Sequence, residues 1–367
     1  MNRAIKYRLY PTTEQEELFA KTFGCCRKIW NLMLNDKIEQ YRATKEMLQT
    51  TPAHYKKQEE YKYLKEVDSL ALANVQLHLQ TAYKNFFRDK KIGFPKFKSA
   101  KHSRRAYTTN NQNGTISIVD NGIKLPKIGI VKAKIHRQPD TDWKIKSATI
   151  SQDNDGKFYV SVLFEFDKTI NQIPISDNAI GLDYKSDGLY ADSNGKVCGS
   201  PKYYRKSQKK LAKLQRQLSQ KEKGSNNHNK VRLKVAKLQK HTANQRLDFL
   251  HKKSTEIANQ YDVVCVESLD MKNMSNKGFG NGKATLDNGY GLFLTMLEYK
   301  LADRGKYFVK VDKWYPSSQL CYSCGKQHKE MKNLLIRQLV CECGYKNDRD
   351  TNASLNIKKE GLRLLNI

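Results

Sequence analysis

Three acidic residues stand at places in the sequence where a carboxylate could do chemistry. Asp183 ends the apolar stretch 179–182, and Glu267 ends a second apolar stretch, 263–266. Both stretches are typical of short buried strands, in which a carboxylate is unfavourable unless it is paired or bound to metal. Asp350 stands where a helix is predicted to begin. The alternative role for each carboxylate is to cap the turn that follows it.

Carboxylates gathered in this way suit the hydrolysis of phosphodiester bonds. That reaction needs the negative charge on both the attacking and the leaving oxygen to be neutralised, which two Mg²⁺ ions about 4 Å apart provide, with Mn²⁺ as an alternative. Carboxylate oxygens are the ligands that such hard ions prefer. The sequence therefore predicts a two-metal site held by Asp183, Glu267 and Asp350.

Four cysteines form two close pairs near the end of the chain, Cys321 with Cys324 and Cys341 with Cys343. Two such pairs predict a tetrahedral four-thiolate site for one structural Zn²⁺ in a reducing compartment. The second pair has one intervening residue where two are usual, which leaves His328 as an alternative ligand. We expect this zinc to stabilise a ribbon too small to form its own core and to take no part in catalysis, because no coordination position stays open.

The elements that position these residues belong to a strongly basic chain. Its 367 residues include 67 Lys and Arg against 37 Asp and Glu, a formal net charge of +30. Such a surface indicates a polyanionic partner, and nucleic acid is the leading one, although scaffold proteins of ribosomes and chromatin share this charge. No stretch approaches the roughly 20 apolar residues of a membrane span, and the N-terminus lacks the apolar core of a signal peptide. We expect a cytoplasmic, nucleoid-associated prokaryotic protein.

The first part of the chain predicts one strand and a helical bundle. Residues 5–9 alternate between apolar and basic, which is typical of a strand. Thr13 followed by Glu16 predicts a capping box at the start of a helix, and a second helix is predicted to follow Asp68. We interpret residues 12–91 as a small helical bundle.

The rest of the chain predicts first a sheet and then alternating strands and helices. In residues 93–114 aromatic residues interleave with cations, and short strands separated by turn signals follow, the clearest at 158–166. An antiparallel sheet or small barrel is expected. Two long basic helices are predicted at 203–221 and 230–260, whose cations either contact nucleic acid or form a solvated face. The predicted fold class is multidomain α+β and α/β.

Seven motifs, spread over nearly the whole length of the chain, resemble the TnpB (OrfB) family of insertion-sequence proteins, which is related to the type V CRISPR effectors. The motifs are RLYPT near the start, AYKNFF at 82–87, GFPKFK at 93–98, IGLDYKSDG at 180–188, VCVESLDMKNM at 264–274, PSSQLCYSCG at 316–325 and CGYKNDRDTNASLNI at 343–357.

The resemblance implies a domain organisation. One lobe would combine a β-barrel wedge domain with a helical recognition bundle, and the other would hold a RuvC-like (RNase H-type) nuclease domain with an inserted zinc ribbon that binds target nucleic acid. In this sequence these domains correspond to residues 1–11 and 92–172 (wedge), 12–91 (recognition bundle), 177–320 and 344–367 (nuclease) and 321–343 (zinc ribbon).

The resemblance also implies an activity. Members of the family bind a guide RNA derived from the transposon, recognise a short motif beside the target, and cleave the DNA that pairs with the guide. The family's three carboxylates map onto Asp183, Glu267 and Asp350, with Asp348 as the alternative third ligand and Arg349 in support of the site. Transposition itself would belong to a companion transposase encoded in the same element.

Several assignments stay open at this point. Asn74, Thr109 and Asn110 are short polar residues suited to reading base edges of the adjacent motif, with turn or cap chemistry as the alternative. The glycine-rich stretch 278–282 is either a lid over the active site or a plain linker. Three other functions are a transposase, a nuclease-dead RNA-guided repressor and a DNA-binding regulator that recognises a fixed operator without RNA.

Overall fold

The computed structural model describes residues 1–276 and 282–366 and divides into two units, Met1–Lys168 and Thr169–Ile367. The glycine-rich stretch, apart from Gly282, lies outside the described residues. Within the described residues no helix is long and apolar enough to cross a membrane.

The first unit is built on an antiparallel sheet of seven strands. In spatial order the strands run β2-β6-β7-β1-β5-β4-β3, so the opening strand lies in the middle of the sheet. The predicted strand alternation is confirmed, because Ile5, Tyr7 and Leu9 are all buried. The strands are β1 Asn2–Tyr10, β2 Arg105–Asn110, β3 Ser117–Val119, β4 Gly122–Leu125, β5 Gly129–Lys134, β6 Lys144–Gln152 and β7 Phe158–Glu165.

Helices pack on this sheet and share its core. They are α1 Thr13–Thr44, α2 Pro52–Lys56 and α3 Ser69–Arg88, with 3₁₀ turns at Glu59–Lys65 and Lys90–Ile92. Phe19 of α1 has no exposed surface and stacks on Phe158 of β7, with ring centroids 5.4 Å apart. Asp68 caps α3 by accepting a hydrogen bond from the Leu70 amide, so the predicted start of this helix is confirmed.

The predicted capping box of α1 was wrong by one residue. Thr12, not Thr13, is the N-cap: its hydroxyl accepts from the Gln15 amide, and the Gln15 side chain accepts from the Thr12 amide. Gln and Glu both serve in the third position of such a box, so Thr12–Gln15 and Thr13–Glu16 are equally good motifs in the sequence. The hydrogen bonds show that the box at Thr12–Gln15 is the one that forms.

The second unit contains a mixed five-stranded sheet in the order β10-β9-β8-β11-β12. Strands β8, β11 and β12 are parallel to one another, and β9 pairs in antiparallel orientation with both β8 and the edge strand β10. The strands are β8 Ala179–Tyr184, β9 Gly188–Asp192, β10 Val197–Gly199, β11 Val263–Glu267 and β12 Tyr307–Val311, and a separate two-stranded ribbon pairs β13 Gln338–Val340 with β14 Lys346–Asp348.

Helices cover both faces of the central strands. Ile180 and Leu182 of β8 pack into a core with residues of α5 and α8, whereas Ala179 packs on the opposite face in a core that contains Ile357 of α9. The two long helices predicted from the basic stretches are confirmed as α4 and α5. The helices are α4 Tyr203–Ser219, α5 Asn226–Gln260, α6 Met271–Met274, α7 Gly282–Asn288, α8 Tyr290–Ala302 and α9 Arg349–Leu364, with a 3₁₀ turn at Lys329–Lys332.

Candidate functional site

The sheet of the second unit brings two of the acidic residues side by side. Strands β8 and β11 are parallel, and Leu182 lies opposite Val266 in their register. Asp183 and Glu267 are the next residues on these neighbouring strands, at the carboxyl ends where the apolar runs finish. Because side chains alternate along a strand, both residues belong to the face that α9 covers.

Glycine lets α9 approach this face closely. A Cβ atom at Gly181 would lie 2.0 Å from the Ser354 carbonyl oxygen and 2.8 Å from the Lys358 amide nitrogen, both of them backbone atoms of the helix. Two residues along the strand from Gly181 to Asp183 span about 6.6 Å, and four residues back along the helix from Ser354 to Asp350 span about 6 Å. The close packing therefore brings the first turn of α9 to the ends of the strands.

Asp350 lies in that first turn and pairs with a lysine from the end of β8. Its Oδ2 atom is 2.5 Å from the Nζ atom of Lys185, and the two side chains are only 16% and 22% exposed. Asp187, which is largely exposed, is a second and more distant partner for Lys185 at 3.8 Å. Burial on its own would lower the pKa of Lys185, but the hydrogen bond with Asp350 and the charge of that carboxylate raise the pKa above its ordinary value.

The pKa of Asp183 depends on both of the other predicted carboxylates. Burial raises the pKa of Asp183 well above its ordinary value, and the charges of Glu267 and Asp350 raise it further, while Arg349 and Lys185 act in the opposite direction. Burial also raises the pKa of Glu267. The site therefore concentrates more negative charge than its own cations offset, which is the environment in which a divalent cation binds.

The spacing of these carboxylates differs from that of a closed one-ion site. Among residues 1–276 and 282–366, the only group of three or more His, Cys, Asp or Glu residues whose ligand atoms all lie within 4.8 Å of one another is a group of cysteines. The three carboxylates are not among the groups that meet this spacing. Ligands that surround two ions about 4 Å apart need a wider spread than the ligands of one ion.

Asp348, the alternative third ligand, has a structural task in this fold. Its Oδ1 atom accepts hydrogen bonds from the amides of Asp350 at 3.0 Å and Thr351 at 3.1 Å, which makes it the N-cap of α9. Arg349 is buried and donates to the Asn333 carbonyl at 3.2 Å. Both residues thus hold the start of the helix that carries Asp350.

The four paired cysteines converge at the two-stranded ribbon. The sulfur atoms of Cys321 and Cys343 are 3.6 Å apart, as are those of Cys324 and Cys341, and all four lie within 4.8 Å of one another. Four sulfurs around a zinc ion at 2.3 Å would be separated by about 3.8 Å. The arrangement therefore fits a four-thiolate metal site, and the shortened spacing of the second pair does not prevent it.

His328 is not part of this cysteine cluster. It is buried, its Nδ1 atom lies 3.0 Å from a carboxylate oxygen of Glu330, and its Nε2 atom has no hydrogen-bond partner in the described part of the chain. Four sulfurs already complete a tetrahedral set, so the structure gives no place to the alternative in which His328 replaces a cysteine. Around the cluster, Met331 and Leu339 form only a very small apolar core.

The three residues considered for base reading lie in the first unit, in different settings. Thr109 has no exposed surface and donates its hydroxyl to Asp68, the cap of α3. Asn74 is also buried and donates to the Leu70 carbonyl one turn earlier, although it lines a cavity of about 350 Å³ together with Arg104. Asn110 is half-buried. Of the three, Asn110 is the most accessible.

Two residues near the carboxylates were missed from the sequence. Lys185 follows Asp183 by two positions, so the period-two rule for strands would have placed it on the same face. Tyr290 begins α8, has no exposed surface, and its hydroxyl has no hydrogen-bond partner among the described residues. Its ring lies 4.9 Å from that of Tyr184, beside Asp183. No local pattern in the sequence points to Tyr290.

Comparison with known proteins identifies relatives over the full length. A family model described as OrfB_IS605, "Probable transposase", matches residues 161–278, and one described as "Cas12f1-like, TNB domain" matches residues 290–357. A model described as "Helix-turn-helix domain" matches residues 1–46. In the structure this last segment contains strand β1 followed by the single 32-residue helix α1.

Two curated proteins align with almost all of the chain. A protein of Streptomyces pristinaespiralis named "Putative RNA-guided DNA endonuclease" is 36% identical over 99% of this chain and 90% of its own length. The protein InsQ of Escherichia coli (strain K12), which carries the same description, is 32% identical over 99% of this chain and 93% of its own length.

A solved structure shares the fold. The protein in the "Cryo-EM structure of the Cas12f1-sgRNA-target DNA complex" superposes with a TM-score of 0.62 and 13% sequence identity, over 98% of both chains. At that identity the likeness concerns the fold alone. The full-length relatives, together with the matching family models, show that the chain belongs to the OrfB, or TnpB, family of insertion-sequence proteins.

Proposed function

We propose that this protein is an RNA-guided DNA endonuclease that hydrolyses phosphodiester bonds with divalent cations held by Asp183, Glu267 and Asp350. The observation that carries the proposal is the approach of α9 to the carboxyl ends of β8 and β11, which gathers three carboxylates from distant parts of the sequence. The RNA guide and the DNA target are proposed because both full-length relatives are named as RNA-guided DNA endonucleases.

The residues of the site would divide the work as follows. Asp183, Glu267 and Asp350 would hold two Mg²⁺ or Mn²⁺ ions, whose chemistry is to activate a water molecule and to stabilise negative charge at the scissile phosphate. Asp348 and Arg349 keep the first turn of α9 in place, and Lys185 balances the charge of Asp350. Rigid support of this kind is what a phosphoryl-transfer site needs, because its ligands must be positioned in advance.

We further propose a domain assignment on the same basis. The sheet of the second unit with α9 would be a RuvC-like nuclease domain at 177–320 and 344–367, and residues 321–343 a zinc ribbon that binds target nucleic acid. Residues 12–91 would be the recognition bundle, and residues 1–11 with 92–172 the wedge. Asn110, together with Asn74 at the cavity wall, remains the proposed reader of the target-adjacent motif.

The test begins with the RNA that copurifies with the full-length protein. Sequencing that RNA gives the guide, and a plasmid library that carries the matching target is then incubated with the complex and Mg²⁺. We expect cleavage beside a short motif, and we expect Asp183→Ala to lower the cleavage rate by at least about a hundredfold while RNA binding is retained. Asp248→Ala is the matched control, since it removes an exposed carboxylate of α5 in the same unit.

Four outcomes would reject the proposal. Cutting by Asp183→Ala at the wild-type rate would exclude the carboxylate site, and wild-type cutting in excess EDTA would exclude the metal. Specific binding to a fixed operator without RNA would favour a DNA-binding regulator instead. Strand joining by this protein alone in a reconstituted reaction would favour a transposase.

A further inference from the structure

Three phenylalanines are exposed at the end of α3 and in the segment that follows it. The exposed fractions are 65% for Phe87, 43% for Phe94 and 57% for Phe97. Large aromatic side chains contribute strongly to cores when they are buried, so three of them on one short stretch of surface need an explanation. We call Phe87, Phe94 and Phe97 the aromatic platform.

The backbone of this segment is fixed to helix α1. The indole nitrogen of Trp30 donates to the Lys96 carbonyl at 2.9 Å. Asn31 donates to the Lys98 carbonyl and accepts from the Lys98 amide, both at 2.8 Å, and Pro95 between the rings is buried. These hydrogen bonds fix the backbone on both sides of Phe97, so the exposed rings of Phe94 and Phe97 belong to an ordered segment.

Two rings of the platform are also held by neighbouring rings. Phe94 meets Phe86 at 5.4 Å and Tyr83 at 5.5 Å, both nearly perpendicular, and Phe87 stacks beside Tyr83 at 6.2 Å. Phe97 makes no ring contact within residues 1–276 and 282–366. Large parts of all three platform rings therefore remain open to a planar partner.

The surroundings of the platform are strongly positive. Five exposed cations lie between positions 84 and 96, and none of them has an ion-pair partner in the part of the chain that the structure describes: Lys84, Arg88, Lys90, Lys91 and Lys96. Asp89 is the only acid in this stretch, and its carboxylate caps the Lys91 amide at 3.0 Å. A polyanion is the complementary partner for such a surface.

We propose that the aromatic platform binds an unpaired nucleic-acid strand, whose bases stack on the phenylalanine rings while its phosphates face the surrounding lysines. Exposed rings interleaved with cations are the two elements of a single-strand binding surface. In a duplex the base faces are already stacked on each other and do not reach the rings. Because stacking and point charges distinguish neither base nor sugar, we expect similar affinities for RNA and DNA strands.

The inference rests on the proposed function and adds to it a binding surface for a nucleic-acid strand that is not paired in the guide–target duplex. Its test needs neither metal nor cleavage, so its failure leaves the proposed nuclease untouched. The full-length protein, freed of bound nucleic acid, is titrated without added divalent cations with fluorescein-labelled oligo(dT), oligo(rU) and a blunt DNA duplex, and fluorescence anisotropy is measured at several salt concentrations.

We expect Phe97→Ala to weaken the binding of both single strands about fivefold, and Phe87→Ala combined with Phe97→Ala about tenfold or more. Binding of the duplex should not change. The slope of log affinity against log salt should stay the same in these variants, whereas Lys96→Ala should reduce it by about 0.7. Phe97→Trp, which keeps a ring, should bind as well as the wild type, and Phe97→Leu should not.

Tyr41→Ala is the matched control, because Tyr41 is another exposed aromatic residue of the first unit, is 49% exposed, and has Lys45 beside its ring. Thermal unfolding checks that each variant is folded. Unchanged single-strand affinity in Phe97→Ala and in the double variant would overturn the proposal. So would an equal loss for the duplex, or full binding by Phe97→Leu.

Discussion

Lys185 occupies a position at which a divalent ion would otherwise neutralise Asp350. The two side chains are 2.5 Å apart and mostly buried, so their interaction is stronger than that of a typical exposed ion pair. An ammonium group so close to Asp350 would compete with the proposed metal for the same negative charge. Lys185 would then set the cation concentration at which the site becomes loaded.

We therefore expect Lys185→Met to lower the Mg²⁺ concentration needed for half-maximal cleavage by about threefold to tenfold. The physical reason is that about 1 kcal/mol of competing attraction at Asp350 is removed. The measurement is a Mg²⁺ titration of the cleavage rate at fixed ionic strength. Lys185→Arg, which keeps the charge, serves as the control, and a higher Mg²⁺ requirement in Lys185→Met would show instead that the lysine orients Asp350.

At the scale of elements, the site depends on how closely α9 lies on the sheet. The helix backbone contacts β8 at Gly181, where a side chain would meet two backbone atoms that cannot rotate away. A second small residue, Gly361, lies against Cys265 of β11, where a Cβ atom would be 2.2 Å from the cysteine sulfur. These two glycines set the distance between the sheet and the helix that carries Asp350.

Gly181→Ala is expected to destabilise the protein by about 1–3 kcal/mol and to reduce cleavage more strongly than RNA binding. The added methyl group pushes α9 outward and moves Asp350 away from Asp183. Gly199→Ala is the control, because Gly199 lies at the edge of the same sheet and a Cβ atom there meets nothing within 4 Å. Denaturant unfolding and cleavage rates are measured for both. Equal behaviour of the two variants would contradict this role of Gly181.

The cysteine ribbon is the element expected to need a metal for its own stability. Its apolar core is very small, and the four cysteine sulfurs beside β13 and β14 lie close enough together to share one metal ion. We expect Cys343→Ser to lower the zinc content per chain from about one equivalent to well below one, as measured by atomic absorption. We also expect the variant to make residues 321–343 sensitive to protease. Cys198→Ser, which removes a scattered buried cysteine, should retain the zinc. Zinc loss without increased protease sensitivity of residues 321–343 would indicate that the ribbon is stable without metal.

Elements with strong periodicity could be predicted from the sequence, and those set by packing could not. The alternation of β1 and β7, the apolar runs of β8 and β11 and the long helices α4 and α5 were all predicted, because their patterns extend over several residues. The first residue of α1 was not, since two overlapping motifs compete there. Tyr290 and the role of Gly181 depend on contacts between distant parts of the sequence, which no local pattern contains. Strand alternation would have placed Lys185 on the face of Asp183, but not its pairing with Asp350.

The whole molecule carries its charge in a dispersed form. Both units contain many exposed Lys and Arg residues, and the formal net charge is +30. A protein that reads a fixed operator needs base contacts concentrated on one element, whereas a protein whose guide RNA pairs with the target can bind helices by shape and backbone charge. Dispersed charge therefore accords with the proposed function, and it has a measurable thermodynamic consequence.

The affinity of the full-length protein for non-specific duplex DNA is expected to fall by at least about a thousandfold between 50 and 200 mM salt. Each neutralised phosphate releases condensed counterions, so six or more phosphate contacts produce a slope of about −5 or steeper in log affinity against log salt. Anisotropy titrations with a labelled duplex of scrambled sequence measure the slope directly. A slope shallower than about −2 would mean that only one or two cations contact the backbone at a time. In that case most of the formal charge of +30 would act on solubility alone, and the proposed guide RNA would have to be bound by specific contacts rather than by the overall positive potential of the protein.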